Sequence, residues 1–394
     1  MNTAKLRLFC ATIFGLIVSQ SSAQVGLTPS SSTVFAGYAS VSYEAATDTD
    51  FKNDFTASFS PVFLYDLSDD FLFESELEFG LSGEITTTSL EYAQIDYLGF
   101  ENWQIIAGKF LVPFGLFGER THPSWINKLP TSPLLYGHAH GGVAEGGALL
   151  PILSDAGVMT RYKKNLNNRW SLDFTGWVSQ GPRAAPGSED SHEEEPDDHE
   201  EAAPFVQTRY VTNSSSRLGE DDHDEEAASE IPGVGFGVAF SDNNSNKMIG
   251  ARLGLVSGPT FEAFVSGFHA RYDDEDNLDV VATNLAIEYR SGQWDFKSEG
   301  ILMWQDVVRG DEIEVLNRSG FYLQLARRRG AFEPVVRWSQ IPESSFNGQI
   351  AFEEKSEISF GINYWLQPSI PLKISYHADF DSEDHIYVQW AYGF

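Results

Sequence analysis

The sequence has little of three things, and each shortage excludes a class of protein. It has one cysteine in 394 residues, so no disulfide can form within the chain. It has no run of eighteen apolar residues, which argues against a transmembrane helix. Basic residues are few, 26 against 57 acidic ones, and the formal net charge is -31. This acidic balance repels a phosphate backbone, so we expect no nucleic-acid partner.

The N-terminal stretch has the features of an export signal. Lys5 and Arg7 precede an apolar segment from Leu8 to Val18 that is too short to cross a bilayer. Ser21 and Ala23 are small residues at the spacing that favours cleavage after Ala23. We therefore predict a signal peptide over residues 1–23 and a single exported domain over residues 24–394.

Strand-length segments with two unlike faces recur almost to the end of the chain. From Phe71 to Ser82, aromatic and aliphatic residues alternate with Glu74, Glu76 and Glu78. Three carboxylates on one face argue against a dry core, because an isolated buried carboxylate is too costly. They suit a water-filled interior opposite a lipid-facing side. The same period of two recurs within residues 172–179, 281–290, 357–364 and 372–380.

The connections between these segments alternate in length. Short turns such as 67–70 and 165–168 are separated by longer or more polar segments, among them 272–278, 305–318 and 341–354. Short turns at one end and long loops at the other are typical of membrane barrels. We predict an all-β transmembrane antiparallel barrel of about sixteen strands. Eighteen is the alternative, if Phe205 to Thr212 and Val234 to Ser241 are both strands.

The last nine residues alternate strictly, with an apolar or aromatic residue at every second position from Ile386 to Phe394. This ending resembles the C-terminal signature of bacterial outer-membrane β-barrels. The resemblance implies an outer-membrane location, with lipids and lipopolysaccharide as neighbours. It also implies that the barrel assembly machinery of that membrane recognises Trp390, Tyr392 and Phe394. An ordinary amphipathic edge strand is the alternative interpretation.

Residues 113–155 form a long segment rich in proline, glycine and aromatic residues rather than in charge. A long loop of this kind is usually functional, and we expect it to pack inside the lumen as a constriction. It follows the run Gly-Lys-Phe-Leu-Val-Pro-Phe-Gly at 108–115. This run resembles one in the phosphate- and polyphosphate-selective porin family. The resemblance implies a porin, commonly a homotrimer, in which lysines and arginines at the constriction select anions.

The candidate pore-lining residues carry charges of both signs. The segment matching that family offers few cations, and Glu119 offsets them, while alternation places more acids than bases on the lumen side. This predicts a mild cation preference. In a competing interpretation, the cations at positions 109 and 120 pair with lumen glutamates such as those at 74 and 76. The candidate residues are Lys109, Glu119, Arg120, His122, Lys128, Glu74, Glu76, Glu78 and Asp173.

Residues 181–231 are dominated by acidic residues with interspersed histidines. Blocks of like charge repel themselves, which favours a solvated external loop. A second interpretation is loose capture of a divalent cation, because imidazole and carboxylate donors suit Zn²⁺ or Cu²⁺. No spacing matches a closed tetrahedral site, so we predict no cofactor beyond such a weakly bound cation. The candidate ligands are His192, His199, His223, Glu193, Asp198 and Asp222.

No sequence motif indicates an enzyme. The chain has no Gly-x-Ser-x-Gly elbow, no His-Glu-x-x-His helix and no phosphate loop. Ser375, His377 and Asp379 share one strand face, which a polar lumen produces by chance. The sequence therefore predicts an outer-membrane porin for passive diffusion of small hydrophilic solutes or ions. The alternatives are a metal-binding barrel, an anion- or phosphate-selective porin, and a barrel plugged by its own loops.

Overall fold

The computed structural model describes residues 32–46, 54–83, 85–140, 142–144, 147–184, 233–237, 244–309, 312–346, 348–380 and 383–394. The predicted signal peptide and every candidate metal ligand of the acidic loop lie outside these residues. Within the part of the chain that the structure describes, no helix has the length and apolarity that a bilayer crossing requires.

The described residues form strands almost throughout, with a single five-residue π-helix at Phe117–Thr121. The strands are β1 (Thr33–Ala46), β2 (Asp54–Asp66), β3 (Phe71–Ser82), β4 (Ile85–Phe100), β5 (Trp103–Leu111), β6 (Tyr136–His140), β7 (Gly142–Val143), β8 (Leu150–Ile152), β9 (Ser154–Asn165), β10 (Ser171–Ser179), β11 (Arg183–Ala184), β12 (Val234–Phe236), β13 (Met248–Ser257), β14 (Phe261–Arg271), β15 (Asp279–Ser291), β16 (Trp294–Arg309), β17 (Glu312–Arg327), β18 (Phe332–Ile341), β19 (Ser344–Phe346), β20 (Gln349–Phe352), β21 (Lys355–Gln367), β22 (Ile370–Asp379) and β23 (His385–Gly393).

Sixteen of the described strands close into one antiparallel barrel, which confirms the predicted strand number. Their order is β1-β2-β3-β4-β5-β9-β10-β13-β14-β15-β16-β17-β18-β21-β22-β23. The last strand closes the barrel on the first, in a register that pairs Tyr38 with Gly393. Beyond that pair, the N–H of Phe394 donates to the carbonyl of Gly37 at 3.0 Å, and Gly37 donates back at 3.1 Å. The C-terminal strand therefore has no open edge.

Two details of the sequence interpretation are wrong. Segment 305–318 is not a loop, because β16 and β17 pair continuously from Arg309 and Glu312 to Trp294 and Arg327. Its polar residues lie near the ends of two long strands, where polar side chains need not mark a connection. The short strand β12 does not join the barrel but pairs with β7 and β11. Its Phe236 is buried against Phe268 inside the barrel, so the eighteen-strand alternative fails.

The two faces of the barrel wall have opposite chemistry. Outward positions hold large apolar side chains that remain exposed, such as Leu285 at 58%, Trp390 at 57% and Phe360 at 53%. Inward positions hold polar residues such as Ser359 and Asn363, which are buried. An exterior of this kind is stable only against lipid, because so much exposed apolar surface in water drives aggregation. The chain is therefore a transmembrane barrel.

Tight turns connect the strands at one end of the barrel. Asn102, Gly258, Gly292 and Gly330 lie in these turns with φ of 64°, 54°, 58° and 64°. Two-residue and similarly short hairpin connections require this left-handed backbone, which glycine and asparagine adopt most readily. The longest connection, 112–153, lies at the opposite end, together with the connections between β14 and β15 and between β18 and β21. The predicted alternation of turn length therefore holds for these connections but not for β3–β4 or β16–β17, which are also short although they lie at this end.

Residues 112–153 fold into the barrel rather than away from it. Apolar side chains of this inward loop, such as Phe114 and Leu135, share one buried cluster with Ile301 and Met303 of the wall. Each buried side chain of this size contributes about 1.5–3 kcal/mol relative to its exposed state. The inward loop is therefore a packed part of the lumen.

Candidate functional site

Glu299, a buried carboxylate on β16, holds the start of the inward loop. It accepts hydrogen bonds from the backbone N–H groups of Leu116 and Phe117 at 3.1 and 3.2 Å. The side-chain amide of Asn284 donates to it at 2.8 Å, and the Tyr136 hydroxyl donates as well. Burial and then the Glu299 charge raise the pKa of Tyr136 well above its ordinary value, so the hydroxyl keeps its proton. Four donors on one carboxylate fit its ionised form.

Gly115 permits this contact between loop and wall. Its φ is +77°, in the left-handed region that glycine tolerates best. A Cβ at this position would collide with the Tyr136 hydroxyl and with the Glu299 carboxylate. The last glycine of the run at 108–115 is therefore needed both for the backbone conformation and for space.

Three arginines converge on Glu119, which lies in the π-helix of the inward loop. Arg120 and Arg161 each lie 3.1 Å from its carboxylate oxygens, and Arg252 on β13 forms a further ion pair. Arg120 also pairs with Glu262 on β14 at 2.6 Å. Burial raises the pKa of Glu119, but the arginines more than offset this effect and hold the pKa at about 2. The cluster therefore ties the loop to the wall and neutralises most of its own charge.

Two buried cations hold the middle of the loop against another part of the wall. Arg337 on β18 donates to both the carbonyl and the hydroxyl of Thr131, at 2.9 and 2.8 Å, and to the carbonyl of Ser132 at 2.8 Å. Lys373 on β22 donates to the carbonyl of Asn127 at 2.7 Å. Because unpaired buried charges are costly, detaching the loop would destabilise both cations unless water replaced the carbonyls.

Lys128 adds a third attachment in this region. Its ammonium lies 2.8 Å from Glu333 on β18 and 3.8 Å from Asp295 on β16. Glu333 also accepts hydrogen bonds from the indole N–H of Trp365 at 2.9 Å and from the amide of Asn363 at 3.3 Å. A cation predicted for the constriction is therefore already engaged by two carboxylates of the wall.

A crevice of about 140 Å³ remains between the loop and strands β1 to β3. On the wall side, Tyr38, Ser58 and Glu78 line it, and on the loop side His122 and Asn127 do so. Hydroxyl, carboxylate, imidazole and amide groups thus meet in one space, which suits water and small polar solutes. Strands β3 and β4 carry further carboxylates at inward positions beside Glu78. These are Glu74, Glu76 and Asp96.

The remaining predicted residues lie in different surroundings. Asp173 on β10 joins the arginine cluster, 3.4 Å from Arg252. The register pairs Lys109 with Ala93 and Ala156, which belong to the outward-facing series of their strands. The ammonium of Lys109 donates a hydrogen bond to the carbonyl of Leu90 at 2.7 Å. Lys109 therefore stands apart from the charge cluster of the loop. The ion pairs of Arg120 are those described above, with the glutamates at 119 and 262 rather than those at 74 and 76.

Ser375 and His377 have the hydrogen bonds of a catalytic relay but no space for a substrate. His377 Nε2 lies 2.8 Å from the Ser375 hydroxyl, and Nδ1 lies 3.2 Å from Glu357 on β21. The carboxylate bonded to His377 is thus one that the sequence pattern did not single out. Ser375 is 2% exposed and His377 is 1% exposed, so the hydroxyl cannot meet a substrate in this arrangement.

Sequence reasoning also missed three charged residues of the wall that contact the loop: Arg161, Glu333 and Arg337. A signal for them exists. In β18, Arg337 stands between Val336 and Trp338, which both face outward. A charge at an inward position of an otherwise alternating strand marks the lumen, although it does not identify the partner. Among the described residues, no group of three or more histidine, cysteine, aspartate or glutamate side chains is placed to hold a metal ion.

Comparison with known proteins places the fold among porins. The chain resembles OmpF of Salmonella typhi in complex with daunomycin, at 11% identity and a TM-score of 0.56 over 92% of this chain and 97% of that one. It resembles the outer membrane channel DcaP of Acinetobacter baumannii at 11% identity and a TM-score of 0.53, over 95% of this chain and 100% of that one. It resembles a trimer form of OmpT, an outer membrane protein of Vibrio cholerae, at 9% identity and a TM-score of 0.53, over 93% of this chain and 100% of that one.

Comparison of the sequence itself gives no closer assignment. No family model matches the chain, and no curated protein matches it. The resemblance of residues 108–115 to the phosphate-selective family therefore stays a prediction, whereas the porin fold rests on the barrel as a whole.

Proposed function

We propose that this protein is a passive diffusion channel of the bacterial outer membrane for small hydrophilic solutes. The observation that carries the proposal is a closed barrel with an apolar exterior and a polar interior, in which the inward loop leaves a polar crevice against strands β1 to β3. A sixteen-stranded barrel is wide enough for an aqueous path. Barrels with this exterior and this alternation of turns and loops belong to the outer membrane. The assembly machinery of that membrane recognises the strand ending in Trp390, Tyr392 and Phe394.

The charge of the lining supports a preference for cations. The arginines near the loop share their charge with Glu119, Glu262 and Asp173. Glu78 borders the crevice, and no lysine or arginine is among the described residues that line it. Since the selectivity of a wide pore follows the charge of its lining, the channel passes potassium more readily than chloride.

A second candidate function is an anion-selective pore. The observation in its favour is the convergence of Arg120, Arg161 and Arg252 beside the loop. A phosphate entering this cluster would have to compete with the carboxylates that already occupy it. We therefore rank this function below the cation-preferring channel.

The proposal is tested by reconstituting the refolded protein in a planar bilayer and in liposomes. We expect stepwise, ohmic conductance and osmotic swelling of liposomes in small sugars and amino acids. Absence of both, with a folded barrel, would mean that the loop plugs the lumen. A current that phosphate blocks at low concentration would favour the anion-selective alternative.

The acidic loop is the basis of a separate proposal, metal capture at the cell surface. Its support is the sequence pattern of His192, His199 and His223 among carboxylates. Deleting residues 186–203 should remove most Zn²⁺ binding in calorimetry and leave conductance unchanged. Equal Zn²⁺ binding by the deletion variant would contradict this role.

We also propose a homotrimer, because one similar structure is a trimer form. Chemical cross-linking in native membranes tests it, and a ladder that ends at the monomer would contradict it.

A further inference from the structure

The outer face of β14 to β17 contains an apolar groove of about 400 Å³. The register aligns Val265, Leu285, Gly300 and Phe321 in one row across these four strands. Gly300 has no side chain and forms the floor of the groove. Leu285 and Val265, which are 58% and 51% exposed, form one wall, and Phe321 forms the other.

The groove lies within the hydrocarbon layer, in its half nearer the long loops. Trp294 opens β16 at the end with short turns, and Trp304 is exposed toward the other end. Aromatic residues at such positions mark the two membrane interfaces. Gly300 stands four residues below Trp304, which is about 13 Å along a strand that rises 3.3 Å per residue.

Polar side chains mark the upper end of the same surface. On the outward series of β14 and β15, Asp279 lies 3.2 Å from His269 and 3.0 Å from Arg271. These half-exposed groups belong at the level of lipid headgroups rather than of acyl chains. A lipid with its headgroup at that level directs its chains downward, over the groove.

We propose that the groove binds one acyl chain of the lipopolysaccharide of the outer leaflet. The occupant is an acyl chain because the groove is apolar and lies where only lipid tails or another membrane protein can reach it. It belongs to lipopolysaccharide because the groove opens in the leaflet on the long-loop side, which in outer-membrane barrels faces outward. The assignment rests on the outer-membrane location in the proposed function, but not on conduction.

A second copy of the chain fits this groove less well. Strands β1 to β3 carry an aromatic patch on the exterior that includes Phe35, Phe55 and Phe79, all exposed. In the barrel order, β1 to β3 stand almost opposite β15 and β16. A contact that joins opposite faces of successive copies produces open rows rather than a closed ring. We therefore assign the groove to a lipid chain rather than to a second copy of the protein.

Gly300→Leu fills the groove with little strain on the barrel. A Cβ at Gly300 would meet its nearest neighbours, the carbonyl of Gly320 and Cβ of Phe321, at 3.8 and 3.9 Å, which are ordinary contacts. Gly176→Leu on β10 is the matched control. That glycine also faces outward, beside Phe174, and its Cβ would meet the Phe174 ring at 3.5 and 3.6 Å. Each variant adds the same side chain to the lipid-facing surface, but only one of them occupies the groove.

The experiment is native mass spectrometry of the full chain in detergent, incubated with purified lipid A or with dioleoylphosphatidylethanolamine. We expect the wild type and Gly176→Leu to retain one lipid A. Gly300→Leu should retain it roughly tenfold less, as expected if about two buried methylene groups are displaced. Phe321→Ala, which removes a wall instead of filling the groove, should also lose it.

Three results would overturn the proposal. The first is equal retention of lipid A by Gly300→Leu and the wild type. The second is equal retention of phosphatidylethanolamine and lipid A by the wild type, which would remove the assignment to lipopolysaccharide. The third is loss of an oligomer in Gly300→Leu alone, which would make the groove a contact between copies. All of these readouts are independent of conductance, so a closed or plugged pore would not affect them.

Discussion

Glu299→Gln is the substitution that should release the start of the inward loop. The carboxylate accepts hydrogen bonds from four donors, two of them backbone N–H groups of the loop. A glutamine can place its oxygen at the position of Oε1 and keep the hydrogen bonds from Leu116, Asn284 and Tyr136. Its NH₂ group then faces the backbone N–H of Phe117 and cannot accept from it, so one hydrogen bond is lost, worth about 1.5–3 kcal/mol when the acceptor is charged. The attachment of the loop should therefore weaken by about 1.5–3 kcal/mol.

Single-channel recording measures the consequence directly. We expect Glu299→Gln to show larger current fluctuations and a higher mean conductance than the wild type, because the loop leaves the lumen for part of the time. The temperature at which the barrel unfolds on a denaturing gel should fall as well. Glu288→Gln is the matched control, since its partners Arg290 and Lys297 both belong to the barrel wall. It should leave the current fluctuations unchanged.

If folded Glu299→Gln has the same conductance and the same noise as the wild type, Glu299 does not hold the loop. Larger noise in the Glu288→Gln control would also refute this role, because any loss of lumen charge would then suffice. Protease accessibility of the loop separates these cases from simple misfolding. A cut within residues 112–153 in the variant, in a barrel that otherwise resists the protease, is the expected pattern.

Three further predictions concern charge, selectivity and closure. The folded pKa of Glu119 lies at about 2, below its ordinary value of 4.5. The ionised Glu119 therefore contributes about 3 kcal/mol to the free energy of unfolding. This contribution is complete above pH 4.5 and is lost as the pH falls toward 2. The temperature of thermal unfolding should fall with decreasing pH over this range in the wild type, and it should fall less in Glu119→Gln. An equal pH dependence in the two proteins would contradict this prediction. Replacing Glu74, Glu76 and Glu78 together by Gln should shift the reversal potential toward zero, and an unchanged potential would exclude this wall from selectivity. Deleting Phe394 removes its hydrogen bonds to Gly37 and its ring contact with Phe59, so the yield of heat-resistant barrel should fall; an undiminished yield contradicts this role.

Strand alternation predicted the barrel because it is a local property of the sequence. A side chain that faces lipid must be apolar whatever lies elsewhere in the fold, as at Phe360 and Ile362. Polarity is a weaker guide than alternation, because the polar segment 305–318 is predicted as a connection but forms parts of β16 and β17. Residues such as Asn317 are polar and exposed, but they lie within continuous β-pairing.

The partners inside the lumen could not be predicted, because they are not local. Alternation places Glu299 and Lys373 on the inward face of their strands. It does not show that one binds Tyr136 and the other the carbonyl of Asn127, far away in sequence. The charge pattern likewise places Lys109 and Arg120 together among the pore-lining candidates. The register separates them, because Lys109 follows the outward series of β5.

An open channel with an acidic lining should show its selectivity in the reversal potential across a planar bilayer in a tenfold KCl gradient, measured on the refolded wild-type protein. We expect a steady current whose reversal potential has the sign of potassium selectivity. A chloride-selective potential would contradict the acidic lining and favour the arginine cluster, and a folded barrel that passes no current would contradict the channel itself.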